Sequence, residues 1–202
     1  CTMDEMLHHI RPVVKGATNA LTLGDLPFGS YNVSDEQAII NANRFMKEGG
    51  CDSVKLEGGR EMASKVKAIV DAGIPVMGHI GYTPQFTKKF KVEGSTLIEA
   101  KRLLKEALHI EQAGAFSIVL ECIHPDTSKL ITSKLRIPTI GIGSSIHCDG
   151  QILVTDDMLG LSGFYPKFVK KYVNLNRIIE KAVKKYTREV RLKKFPAIKN
   201  FL

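Results

Sequence analysis

Nowhere in the sequence is there an apolar run of about 18 residues, so no stretch reads as a membrane-crossing helix. The N-terminus also lacks the basic-then-apolar order of a secretory leader. A cytoplasmic protein without a membrane partner is the expectation. Cysteine is scarce: Cys1, Cys51, Cys122 and Cys148 stand too far apart for a C-x-x-C metal or redox motif, and a chain of this length needs no disulfide staples. They are expected to be free, buried thiols. His8, His9, His109, His124 and His147 share no metal-ligand spacing. Also missing are a Gly-x-Gly-x-x-Gly turn and a Walker lysine, the usual fingerprints of a nucleotide-binding open sheet.

The formal charge is +8, which raises the question of nucleic acid. The basic residues concentrate from Lys167 to Lys199, interleaved at helical spacing with Val169, Val173, Ile178, Ile179, Val183 and Tyr186. That spacing reads as the wet side of amphipathic helices. No nucleic-acid fold motif accompanies it, so no nucleic-acid partner is expected. An anionic small molecule is the more modest inference.

What is present is ordinary in amount and regular in order. At 202 residues, 44% hydrophobic and 25% charged, the chain suits one sizeable core and is expected to be a single domain over 1–202. A helix spans Asp4 to Gly16, with Pro12 an awkward interior residue. Strands are expected at Ala20–Asp25, Ser53–Glu57, Ile74–Gly81, Ala115–Cys122, Ile137–Gly143 and Gln151–Val154. Between them, Ser34 and Gln37 form a capping box that opens a helix reaching Gly49-Gly50. Further helices run from about Arg60 to Ala72, from a Ser95 cap to Gly114, from about Thr127 to Leu135 and from Leu175 to Lys193. Short, continuously apolar strands alternating with amphipathic helices call for a parallel sheet buried on both faces.

The polar exceptions in those strands carry the functional argument. Lys55 and Glu57 alternate with Val54 and Leu56, so both charges share a face. They form either a structural ion pair or part of a site. Asp25, Lys55, Glu57, His79 and Glu121 all fall at or near the C-terminal ends of strands, the edge where ligands bind in barrels and open α/β sheets alike. Asp25 and Glu57 offer the carboxylate oxygens that Mg²⁺ takes, although Asp25 could equally be a turn-forming residue. Lys55 offers a positive charge to a substrate carboxylate or oxyanion, and Glu121 is a candidate general base. A lone histidine such as His79 is more often a satisfied core group than a ligand.

Six stretches resemble the ketopantoate hydroxymethyltransferase family, in order and at nearly its spacing, from about Asp4 to about Pro196. They are Asp25 to Tyr31, Val54 to Gly59, Gly73 to Gln85, Ile137 to Gly143, Cys148 to Gln151 and Pro166 to Lys170. The resemblance implies a (β/α)8 TIM barrel whose first two strands are missing from this sequence, so that the single domain is N-terminally incomplete. It further implies a homodecamer, Mg²⁺, and 5,10-methylenetetrahydrofolate as donor of a one-carbon unit to the 2-oxo acid 3-methyl-2-oxobutanoate, through a Mg-stabilised enolate, giving ketopantoate for pantothenate synthesis. On this resemblance Asp25 is a metal ligand that also touches substrate, Glu57 a second metal carboxylate, Lys55 a substrate-binding lysine, Glu121 the proton acceptor and His79 an active-site residue that meets substrate. Two departures stand out: Phe86 to Phe90 runs directly into Lys91 where the family has a Gly-Gly-aromatic step, and Ser144-Ser145 replaces Ala-Gly. The alternatives are another Mg²⁺-dependent 2-oxo-acid barrel enzyme of lyase or aldolase type, and a degenerate, non-catalytic barrel.

Overall fold

The computed structural model describes residues 1–87 and 89–201, so the Lys88 step of the Phe86–Phe90 stretch lies outside the described residues. The chain divides into two compact units, Cys1–Ile152 and Leu153–Leu202. The first holds a curled, six-stranded parallel sheet in sequential order, a half-barrel. Its strands are β1 (Leu23–Asp25), β2 (Ser53–Lys55), β3 (Val76–Gly81), β4 (Ser117–Glu121), β5 (Thr139–Ile142) and β6 (Gly150–Gln151). Its helices are α1 (Met3–Gly16), α2 (Asp35–Arg44), α3 (Ala63–Asp71), α4 (Leu97–Gln112) and α5 (Pro125–Lys134).

Five of the expected strands are present, each shorter than its apolar run, while the sixth forms at Gly150–Gln151 instead of Gln151–Val154, overlapping it only at Gln151. Residues such as Ile74 and Ala115 are buried in the connections that lead into the ladder, so hydrophobicity overstates strand length there. The long α4 is capped by Thr96 rather than Ser95: the Thr96 hydroxyl accepts from the Glu99 N–H, and the Glu99 carboxylate reaches back to the Thr96 N–H. The reciprocal bond requires a spacing of three, which Thr96 and Glu99 have. Ser34 does cap α2 through the Gln37 N–H, but the Gln37 side chain accepts from Val33 instead of Ser34. The helix ends in a wider turn of π type, Phe45–Gly49, stopped by left-handed Gly50. Pro12 is accommodated within an unbroken α1.

The two faces of the sheet differ, contrary to the expectation of burial on both. Val54, Leu56, Val76, Ile118 and Leu120 point to the helices and are sealed, packed with Leu7, Phe45, Val66, Ile69, Leu103, Ala107, Ile110 and Ile131. The residues alternating with these point the other way; there Ser53, His79, Ser117 and Val119 are buried, but Leu23, Asp25, Lys55, Met77, Glu121 and, through the β4–β5 register, Ile140 are only partly covered. Three of the four cysteines are buried free thiols as expected, whereas Cys1 is exposed.

Two aspartates fix where strands begin. Asp52 accepts from both the N–H and the hydroxyl of Thr22, each at 2.7 Å, and Asp149 accepts from the N–H and hydroxyl of Thr139 at 2.8 and 3.0 Å. The Thr139 backbone N–H, followed by its hydroxyl, holds the Asp149 carboxyl below its ordinary value of 3.8. A lowered carboxylate pKa contributes stability above the unfolded value and loses it as pH falls through the folded one. Asp149→Asn is therefore expected to cost about 1 kcal/mol at neutral pH, with the deficit shrinking below pH 3.8. Denaturant titrations across that range check this; a deficit independent of pH would contradict it.

The second unit contains α6 (Thr155–Leu159) and α7 (Leu175–Arg191), the latter capped by the Asn174 side chain. Its basic side is wet as expected. Its apolar stripe is not covered: Ile178, Ile179, Val183, Tyr186 and Val190 are all exposed. No helix among the described residues is long and apolar enough to cross a membrane.

Candidate active site

Strand alternation and register together assemble the site. Parallel pairing sets Asp25 beside Lys55, Lys55 beside Met77, His79 beside Val119 and Gly81 beside Glu121. All are odd-numbered, so they share the half-covered face. All five side chains singled out in the sequence come together there.

The cluster reads as a chain of charges. Lys55 Nζ lies 2.8 Å from Asp25 Oδ1 and 3.4 Å from His79 Nδ1. His79 Nε2 is 3.1 Å from Glu121 Oε2, and His79 Nδ1 is 3.8 Å from Glu57 Oε1. An ammonium facing Nδ1 assigns that nitrogen as acceptor, leaving Nε2 as the protonated one, directed at Glu121. Neither Asp25 Oδ1 nor His79 Nε2 makes a well-aligned hydrogen bond despite these short separations, and both atoms are buried. Catalytic contacts are commonly loose before substrate arrives.

The same-face pair Lys55 and Glu57 makes no ion pair of its own among the described residues: Lys55 turns to Asp25. Adjacent parallel strands bring in-register residues closer than i and i+2 on one strand, so the cross-strand partner wins. Glu57 lies just past β2 and is nearly fully buried. Burial pushes its carboxyl pKa up, opposed by the nearby His79, the Gln85 N–H and Lys55. It is held from two sides, the Gln85 N–H donating to Oε2 at 3.1 Å and the following Gly58 N–H donating to the His79 carbonyl at 2.9 Å. His79 is buried as well, so it is a core residue in position and a member of the cluster in contact.

Glu121 is fixed through its backbone. Its carbonyl accepts from Tyr82 N–H at 2.8 Å, and the next residue, Cys122, donates to Ile142 O at 2.9 Å from a left-handed conformation, φ 51°. A non-glycine residue there is uncommon and marks local strain beside the site. Gly81, at φ 97°, faces that carbonyl so closely that an added Cβ would sit 2.3 Å from it. Tyr31 and Gln85 lie within the family-like motifs with no role expected of them, yet both touch Glu57; the sequence signal for them is a tyrosine in an apolar turn, which needs a polar partner once buried.

The donors are hard oxygens. Asp25 and Glu57 are two carboxylates, the number Mg²⁺ usually takes from protein, and the buried Asp25 Oδ1 lacks an aligned partner. Among the described residues no three or more His, Cys, Asp or Glu side chains are grouped to hold an ion, so Asp25 and Glu57 would supply only part of a cation's ligands. The set fits Mg²⁺ on those terms. A cationic groove of about 410 Å³ on α4, lined by Arg60, Lys101, Lys105 and His109, contains none of the five residues.

A parallel α/β half-barrel with carboxylates, a histidine and an ammonium gathered at its strand ends has the layout of an enzyme of the barrel class. Comparison with known proteins narrows the class. The family model described as ketopantoate hydroxymethyltransferase matches residues 1–198, and the chain belongs to that family of transferases. It is 55% identical over 199 residues to the 3-methyl-2-oxobutanoate hydroxymethyltransferase of Heliobacterium modesticaldum, covering 96% of this chain and 72% of that one. To the protein of the same name from Clostridium beijerinckii it is 54% identical over 203 residues, covering 98% and 74%. Among solved structures, a putative lyase/mutase from Burkholderia cenocepacia superposes with a TM-score of 0.54 over 97% of this chain and 69% of that one, at 14% identity. A putative phosphonomutase from the same organism gives 0.56 over 69% and 60%, at 16%. These two likenesses speak to the fold alone.

Proposed function

We propose that the chain transfers a hydroxymethyl group from 5,10-methylenetetrahydrofolate to 3-methyl-2-oxobutanoate, giving ketopantoate. The observation that carries this reading is the line Asp25, Lys55, His79, Glu121 with Glu57 alongside, in a chain of this family. Glu121 takes the proton from the carbon next to the keto group. His79 donates towards Glu121 and orients its carboxylate, and its edge meets the substrate. Lys55 holds the substrate carboxylate and faces the oxygen on which negative charge develops. Asp25 and Glu57 would hold Mg²⁺, with Asp25 also touching substrate; the bound ion would withdraw charge from the 2-oxo acid's carbonyl and acidify the neighbouring C–H. The enolate carbon would then form a C–C bond to the folate-borne methylene carbon as one C–N bond to folate breaks, water would supply the hydroxyl as the second C–N bond breaks, and the substrate proton taken by Glu121 together with one proton of water would end on the two folate nitrogens as tetrahydrofolate leaves. Holding the two small partners in one geometry supplies much of the rate.

Family membership also supports a (β/α)8 barrel, of which the six-stranded sheet is part, a homo-oligomer, taken as a decamer, and a cytoplasmic setting. The test is ketopantoate formation from 3-methyl-2-oxobutanoate, with and without methylenetetrahydrofolate and with and without Mg²⁺ after chelation. Product is expected only when both are present. Turnover without folate, turnover indifferent to chelation, or no ketopantoate under any condition would sink the proposal.

A further inference from the structure

Glu57 is anchored by a buried network that the reaction itself does not call for. Tyr31, in the loop after β1, is fully buried. Its hydroxyl lies 2.7 Å from Gln85 Oε1 and 3.2 Å from the Glu57 carbonyl, and it accepts from the Glu57 N–H at 3.3 Å. A phenol has one proton, and the shortest contact assigns it to Gln85. The other half of the Gln85 amide donates to the Leu26 carbonyl at 2.9 Å, which fixes the orientation of the amide. The Gln85 backbone N–H then donates to Glu57 Oε2 at 3.1 Å.

The loops after β1, β2 and β3 are thus cross-linked at two side chains, and every link runs to Glu57 or to the residue that grips it. We infer that Tyr31 and Gln85 are positioning residues: they lock the loop after β3 onto the ends of β1 and β2 and so aim the Glu57 carboxylate at the metal position. Outer partners of metal ligands characteristically matter this way, their loss costing about 10- to 100-fold in affinity. The inference rests on Glu57 being a metal carboxylate, and the controls separate the two ideas.

The experiment is calorimetric titration of the full chain with Mg²⁺ alone, for the parent, Tyr31→Phe, Gln85→Leu, the double variant and Glu57→Gln, with thermal unfolding recorded for each. Gln85 is only partly buried, so its variant keeps the test alive if Tyr31→Phe fails to fold. Mg²⁺ affinity is expected to fall about 10-fold or more in each single variant. Because both act through one network, the double variant is expected to lose no more than the larger single loss. Affinity within 2-fold of the parent in a folded variant, even with a lowered melting temperature, would reduce the network to a purely structural role and overturn the inference. Additive losses in the double variant would overturn the shared network. If Glu57→Gln leaves Mg²⁺ binding intact, it is the metal assignment that fails, and the inference with it.

Discussion

Replacing Glu121 by Gln is expected to lower kcat by about 10³-fold, within the range that a positioned general base supplies. Gln has the same shape but cannot take a proton. The fold should not notice, because Glu121 is held by its backbone: Tyr82 N–H on its carbonyl, and Cys122 N–H on Ile142. The Glu121 side chain's close polar neighbour among the described residues is His79 Nε2, at 3.1 Å. Melting temperature and KM for the 2-oxo acid are therefore expected to stay near parental values while kcat collapses, the pattern of a group that acts in the transition state. Exchange of the substrate's C3 proton in heavy water, measured without folate, should fall in parallel, since it reports proton removal alone. Full turnover by the Gln variant would remove Glu121 from the role of base; lost turnover with normal exchange would move it to a later step.

Replacing Lys55 by Met should do two things at once. The ammonium sits between Asp25 and His79 with its side chain only 13% exposed, in a cluster that also holds Glu57 and Glu121. Removing one partner of a largely buried pair leaves the other unneutralised; with the Asp25 side chain 41% exposed, the expected stability loss is about 1 to 3 kcal/mol. The effect on catalysis should be larger, about 10²-fold in kcat/KM, as for loss of one preorganised charge donor. A rise in KM for 3-methyl-2-oxobutanoate much greater than that for the folate would support contact with the oxo acid's carboxylate. Lys55→Arg should not restore activity, because a planar fork does not replace a point charge in a gap of this size. If Met at this position lowered the melting temperature while leaving both KM values and kcat alone, Lys55 would be a structural ion-pair partner and nothing more.

Much of the site was legible from spacing. Two-residue alternation put Lys55 and Glu57 on one face, and the positions of Asp25, His79 and Glu121 near strand ends put them on one edge. What spacing could not say is who pairs with whom. Lys55 chooses Asp25 over Glu57 because β1 and β2 lie in register at those residues, and register between strands is a long-range property. Tyr31 and Gln85 escaped notice for the same reason. They are separated by 54 positions, and neither carries a charge that would single it out. The α4 cap sits at Thr96, one residue past Ser95, where the Thr-x-x-Glu spacing permits the reciprocal bond. The α7 stripe was legible as a pattern, but a pattern states which side is apolar and not whether anything covers it.

By itself the chain of residues determined the order of elements, the number of strands, which side chains share a face and the family, because each follows from periodicity, capping chemistry and local motifs that act over a few neighbouring positions. Only the folded molecule decided that one face of the sheet is sealed and the other half open, that Lys55 bridges Asp25 and His79, and that three loops converge on Glu57. Those outcomes depend on distances between residues dozens of positions apart, which packing and strand register set and no local pattern encodes.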